Sequence, residues 1–99
     1  MKKYNSHLLI SDKGEILANY RKTHLYDVDL AKTVPGGVSI FESKYTQEGP
    51  EIVAPVKLCA MNIGLTVCYD LRFPEMFRIL ALQGANVLLV PSAFMIKTG

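Results

Sequence analysis

The sequence predicts an α/β fold, and three observations carry that expectation. Residues 63–91 read as a strand, a helix and a second strand, a βαβ unit. An alternating apolar pattern around a glycine loop, the mark of a β-hairpin, precedes it near the start of the chain. Charge is also uneven: 15 of the 20 charged residues lie before Cys59 and five lie in the last 41 positions. Low charge density over such a run marks strands covered on both faces, as in a parallel sheet flanked by helices.

Taken in order, Leu8-Leu9-Ile10, Asp12-Lys13-Gly14 and Glu15 to Tyr20 form the hairpin, with Gly14 placed where a positive φ is cheap. Ile16, Ala18 and Tyr20 alternate with Glu15, Asn19 and Arg21, as a half-buried strand requires. Residues 23–37 lose periodicity and end in Pro35-Gly36-Gly37, so a long surface loop is expected there. Val38 to Phe41 and Ile52 to Leu58 are short strands, Pro55 marking the second as an edge strand or a break. Ile63 to Cys68 is a buried strand. Pro74-Glu75 then opens a helix, with proline at an allowed first-turn position and glutamate near the positive end of the dipole. Phe73, Met76, Phe77, Leu80 and Ala81 hold helical spacing, and Gly84 suits the residue just past the helix end. Asn86 to Val90 is the second buried strand, closed by Pro91.

Composition narrows the function classes. With 99 residues, 49% of them hydrophobic, the chain is at most one globular domain and too apolar for a disordered tail. No apolar run approaches the ~18–20 residues of a membrane span. The charged start is not followed by an apolar stretch of ~7–15 residues with a cleavage site, so a secretory route is not expected. A net charge of +2 gives no electrostatic case for nucleic acid. Cys59 and Cys68 are too few for a disulfide scaffold. His7 and His24 show no metal-ligand spacing, so neither a metal nor another cofactor is implied.

Ligands of open α/β sheets bind beyond the carboxyl ends of the strands. Cys68 falls at that end of the first strand of the βαβ unit, and Ser92 at the equivalent end of the second. By composition a lone cysteine reads as a small buried hydrophobe. A thiol at a strand-to-helix elbow is, on the other hand, exposed to substrate, with nearby backbone N–H groups available to developing negative charge. Cys59 has no such position and reads as structural. Arg72, Asp70 and Glu75 read as an ion-pair set supporting the elbow, the alternative being that Arg72 turns its fork toward a substrate carboxylate. His24 reads as a loop hydrogen-bonding residue, and Met76, Phe77 and Leu80 as core or a subunit contact.

Three segments carry a resemblance. Leu65-Thr66-Val67-Cys68-Tyr69-Asp70-Leu71-Arg72-Phe73-Pro74-Glu75 closely resembles the nucleophile segment of the nitrilase superfamily of carbon–nitrogen hydrolases. Tyr20 to Asp29, with Arg21-Lys22-Thr23-His24, is similar to that superfamily's catalytic-lysine segment. Gly84-Ala85-Asn86 through Pro91-Ser92-Ala93-Phe94 resembles the strand and pocket loop that follow. All three are in order and in register. The likeness is greatest to the Nit-type amidases, in particular the deaminated glutathione amidase branch.

The resemblance implies an αββα four-layer sandwich, of which residues 1–99 form a central, partial hydrolase domain lacking parts at both ends. It implies a Glu-Lys-Cys triad: Cys68 attacks an amide carbonyl and forms a thioester, and Lys22 with the Tyr69 backbone N–H stabilises the oxyanion. Glu42 matches a second, supporting glutamate. The principal glutamate would lie well upstream of Lys22, and Glu15, in the hairpin, is no substitute. Arg72, Ser92 and Phe94 are candidate substrate contacts. The implied substrate is a small carboxylate-bearing ω-amide of the deaminated glutathione kind, with ω-amidase or carbamoyl-amine hydrolase activity as the alternatives within enzymes. The implied location is cytoplasmic, with a mitochondrial form of the full-length protein also open, and the implied assembly is a homodimer through the helix near residues 74–83. No nucleic acid or membrane partner is implied. A reading of a different kind also stands: an inactive truncated chain acting as an interaction module.

Overall fold

The computed structural model describes residues 1–33 and 35–97; Val34, in the expected loop, and Thr98 and Gly99, at the expected cut end, lie outside them. Nine strands, β1 (Lys3–Tyr4), β2 (Ser6–Ile10), β3 (Ile16–Arg21), β4 (Asp27–Asp29), β5 (Ser39–Phe41), β6 (Thr46–Gln47), β7 (Val56–Leu58), β8 (Met61–Leu65) and β9 (Val87–Leu89), accompany one α-helix, α1 (Pro74–Leu82), among the described residues. Short 3-10 turns occupy Glu42–Lys44 and Cys68–Arg72.

The expected βαβ unit is present. β8 and β9 pair in parallel with α1 between them in sequence, and β7 adds antiparallel on the other side of β8. Pro55 immediately precedes β7, which is an edge strand, consistent with a residue that cannot donate to a ladder. The helix starts at Pro74 and ends at Leu82. Gly84 takes the left-handed conformation (φ +99°) just beyond it, and Gly14 does the same (φ +82°) in the β2–β3 loop.

Two expectations are corrected. The segment 23–37 is not wholly loop: β4 lies within it and pairs antiparallel with β5, Val28 opposite Ile40. Its sequence, Asp-Val-Asp, has one apolar residue and so no visible period; cross-strand pairing, not local propensity, makes it a strand. The strand expected over 63–68 ends at Leu65. Beyond it the ladder continues irregularly, with the Thr66 amide donating to Leu89 O (3.1 Å) and the Cys68 amide to Pro91 O (2.9 Å).

The core is formed by Tyr20 from the hairpin, Ile63, Leu65 and Val67 from β8 and its extension, and Met76 and Leu80 from α1, all buried. Leu9, Ala18 and Val87 pack against it. Met76 and Leu80 stand four residues apart, one helical turn, and so share the inner face of α1. The hairpin and the βαβ unit are thus welded by one cluster. The weld is reinforced where His7 Nδ1 lies 2.9 Å from Thr66 O. Cys59 is not a buried structural residue; it is exposed in the β7–β8 turn with a positive φ of 56°.

Leu80 is fully buried at the centre of this cluster. Leu80→Ala is expected to destabilise the fold by about 2–5 kcal/mol, the lost transfer energy plus a cavity. A urea unfolding midpoint unchanged from wild type would refute the core assignment.

Candidate functional site

Three peptide segments meet at one cleft of about 870 Å³. The end of β3 brings Lys22, the turn after β5 brings Glu42, and the elbow after β8 brings Cys68, with Pro91, Ser92 and Ala93 from the loop after β9 completing a wall. Cys68 and Ser92 both lie beyond the carboxyl ends of parallel strands, where an open α/β sheet leaves a crevice.

Lys22 is held on all sides. Its amide donates to Asn5 O and its carbonyl accepts from the Gly49 amide, each at 2.8 Å. Lys22 lies two residues beyond Tyr20 along an extended chain, so both project to the same, buried face. Its Nζ donates to Glu42 Oε1 at 2.6 Å, with side-chain exposures of 3% and 19%. The same carboxylate oxygen accepts the Tyr26 amide at 2.7 Å. A lysine this deeply buried needs a charged partner, and Glu42 supplies it.

Cys68 opens the 3-10 turn with φ +44°, a left-handed conformation that a side chain adopts at a steric cost. In such a turn the first internal bond runs from the Asp70 amide to Val67 O, at 3.0 Å. The Cys68 amide is diverted to Pro91 O. The Tyr69 amide, next along, sits ahead of the turn's own acceptors, in the position that leaves a helix-start N–H without an intrahelical partner. The Lys22 ammonium and the Cys68 thiol line the same cleft. Ammonium and amide donors there can stabilise an oxyanion.

The acid–base set at the elbow differs from expectation. Asp70, Arg72 and Glu75 do not form an ion-pair set: Asp70 is fully buried and pairs with His24, Nδ1 to Oδ1 at 2.7 Å, while Arg72 and Glu75 are exposed. The carboxylate turns inward because four donors, two of them backbone amides, converge on it there. His24 is the expected hydrogen-bonding residue, and its ring also stacks on Phe73 with centroids 3.7 Å apart. The Tyr20 hydroxyl donates to Asp70 Oδ2 at 2.6 Å. Burial, followed by that carboxylate, pushes the Tyr20 phenol well above its usual pKa.

A second, smaller cavity of about 260 Å³ adjoins the first at Cys68. Arg72 and Phe94 line it, with Tyr26, Tyr69 and Met95, whereas Ser92 lines the main cleft. Tyr69 stands edge-on to both Tyr26 and Phe73, centroids 4.9 and 5.4 Å away, forming an aromatic wall. Of the residues singled out from sequence, Cys68, Lys22, Glu42 and Ser92 therefore share the main cleft, and Arg72 and Phe94 the side chamber. His7 and Tyr26 also line the cleft. Sequence gave them no signal beyond their strand and loop positions, because a backbone amide on Glu42 and a ring on a strand-end carbonyl are set by tertiary contact.

A sequence profile described as carbon–nitrogen hydrolase matches residues 1–98. Deaminated glutathione amidase of Mus musculus is 48% identical over 96 residues, a match covering 97% of this chain and 28% of that one. The protein of the same description from Synechocystis is 43% identical over 99 residues, covering 99% of this chain and 35% of its own. The chain therefore spans about a third or less of the length of these relatives. Among solved structures, the Caenorhabditis elegans NitFhit protein superposes with a TM-score of 0.84 at 38% identity, over 97% of this chain and 22% of that one. An amidase from Nesterenkonia sp. AN1, captured with the acetamide moiety of fluoroacetamide covalently added at its active-site cysteine, gives a TM-score of 0.73 at 31% identity, over 90% of this chain and 29% of that one. Profile, relatives and fold agree, and the chain belongs to the carbon–nitrogen hydrolase family.

Proposed function

We propose that this chain carries the nucleophile and oxyanion-binding part of an amidase that hydrolyses a small, carboxylate-bearing ω-amide such as deaminated glutathione. The observation that carries the reading is the meeting of Cys68, Lys22 and Glu42 in one cleft, with Lys22 buried and bonded to Glu42. The relatives' description as deaminated glutathione amidases and the cysteine adduct of the Nesterenkonia amidase support it.

The proposed chemistry balances in two halves. Cys68 Sγ adds to the amide carbonyl, and the negative charge that develops on oxygen is met by Lys22 Nζ and the Tyr69 N–H. The C–N bond breaks, the thiol proton ends on the departing nitrogen, ammonia leaves and a thioester remains. Water then adds to that thioester; its hydroxyl stays on the acyl carbon and its proton returns to sulfur, giving the carboxylic acid and the free thiol. Both halves move protons and need a general base. Among the described residues Glu42 is the one carboxylate lining the main cleft, and it already accepts Lys22 Nζ and the Tyr26 amide. Glu42 therefore positions the lysine, and the base comes from a carboxylate outside residues 1–99. Arg72 offers its fork to the substrate carboxylate in the side chamber, flanked there by Phe94, while Ser92 contacts the substrate from the main cleft. The substrate is small, and the complete protein is a homodimer through α1, whose Ile79 and Leu82 are exposed.

Ammonia release from deaminated glutathione tests the reading. The 99 residues alone are expected to be inactive, whereas the same residues in a polypeptide of the relatives' length release ammonia. Cys68→Ser then lowers kcat by about a thousandfold or more, and Lys22→Ala by roughly 10²–10³, the loss of one oxyanion donor. Turnover by the isolated chain would sink the need for an outside base. Absence of turnover in every longer chain would favour the competing reading, an inactive interaction module. That reading draws on exposed apolar side chains such as Ile16 and Leu82.

Glu42→Gln leaves the Lys22 ammonium buried without a counter-charge, and is expected to destabilise the protein by about 3–5 kcal/mol. Unfolding free energies from denaturant titration measure this, and a change below about 1 kcal/mol would show that the pair is solvated. Sedimentation equilibrium of the complete protein checks the dimer; Leu82→Glu is expected to give a monomer, and an unchanged dimer would place the interface elsewhere.

A further inference from the structure

We infer that Asp70 is a positioning residue whose carboxylate sets the register between the lysine segment and the cysteine elbow. This inference rests on the amidase reading for its kinetic consequence, but its geometry stands alone. Asp70 lies two residues after Cys68 and is fully buried. Its Oδ2 accepts the Tyr20 hydroxyl at 2.6 Å and the Val67 amide at 2.8 Å. Its Oδ1 accepts His24 Nδ1 at 2.7 Å and the His24 amide at 3.2 Å. One of the four donors, the Val67 amide, immediately precedes Cys68; the other three bracket Lys22, the Tyr20 hydroxyl two residues before it and the His24 amide and ring two after. The Tyr20 hydroxyl is itself fixed on the Thr23 amide at 3.0 Å. One buried group thus grips the chain on both sides of the lysine and immediately before the nucleophile.

The chemistry demands a carboxylate. Two of its donors are backbone N–H groups and cannot reverse, one on each oxygen. An asparagine amide has one acceptor oxygen and one NH₂, so whichever way it turns it confronts a backbone N–H with another donor. The consequence falls on the elbow. Cys68 holds its left-handed φ between the Val67 amide bonded to Asp70 and its own amide bonded to Pro91 O. With the first anchor loosened, the thiol loses its place in the cleft it shares with Lys22, and acylation slows without loss of the substrate pocket. A displacement of about 1 Å in such a geometry is worth about a hundredfold in rate.

Two readouts test this in the full-length protein. The first is the rate of iodoacetamide labelling of Cys68 relative to Cys59, which needs no substrate. Cys59 is exposed in a turn outside the cleft and serves as the reference, so global loosening raises the Cys68 rate relative to it while lost register lowers that relative rate. Asp70→Asn is expected to lower the Cys68-to-Cys59 ratio tenfold or more. Should that variant fail to fold, Tyr20→Phe, which keeps the buried ring and removes one donor, is expected to lower the ratio about threefold. The second readout is kinetic: kcat falls by the same factors while KM stays within twofold, and Asp70→Glu, one methylene too long for the four donors, does not restore it. An unchanged or raised labelling ratio in a folded variant overturns the inference, as does a change confined to KM. If no amide is turned over at all, the amidase reading fails, and the labelling ratio still decides the role of Asp70.

Discussion

Everything at the site depends on a carboxylate placed where water cannot reach it. A buried, ionised side chain is tolerated only when its oxygens are met by donors, and each bond left unmade costs about 1–3 kcal/mol. Asp70 meets that demand with donors drawn from two separate parts of the chain, the end of β3 and the elbow after β8. Neither part could be shifted by one residue without stranding the charge. The requirement that makes the group costly to bury is therefore the one that makes the two segments join in a single way.

A second buried charge plays a different part. Lys22 and Glu42 lie in the cleft rather than beneath it, and Glu42 keeps some solvent exposure while Lys22 has almost none. A cation held so deeply stays charged only if its surroundings compensate it, and it is then available to any further negative charge that forms nearby. Rigidity follows from the main chain, since the lysine's own amide and carbonyl are both bonded to other segments. Preorganisation of this kind needs no movement at the moment a charge develops.

Much of this was legible in the sequence, and the illegible parts share a cause. The βαβ unit, the hairpin and α1 were readable because period, proline and glycine act locally: Pro74 opens the helix and Gly84 follows its end in the structure as in the pattern. Cys68, Lys22 and Glu42 were readable through the likeness of whole segments, and the structure gathers them into one cleft. What could not be read was which partners a charged side chain chooses. Asp70, Arg72 and Glu75 lie close in sequence and suggest mutual pairing, yet Asp70 pairs with His24 and Tyr20, 46 and 50 residues away. Solvent screens the exposed charges of Arg72 and Glu75, so they gain little by pairing, whereas burial obliges Asp70 to find donors wherever the fold provides them. β4 was missed for a related reason: its pairing with β5 is decided across the sheet, not along the chain.

The charge-poor final part of the chain shows how far a compositional signal reaches. It predicts strands covered on both faces, and β8 with its extension fulfils that, Ile63 to Val67 being buried without interruption. β9 has the same apolar character, yet Leu88 and Leu89 are each 37% exposed. Parallel strands are close to continuously hydrophobic because something covers each face, and here only one of the two strands is so covered. The pattern in β9 therefore records a requirement for contact that the described residues do not themselves meet. Among the described residues, β9 is also an outermost strand of its sheet, and an edge strand presents backbone groups competent to pair. A chain that aligns with about a third or less of its relatives thus buries Ile63 to Val67, the stretch leading to Cys68, and leaves the strand leading to Ser92 partly exposed.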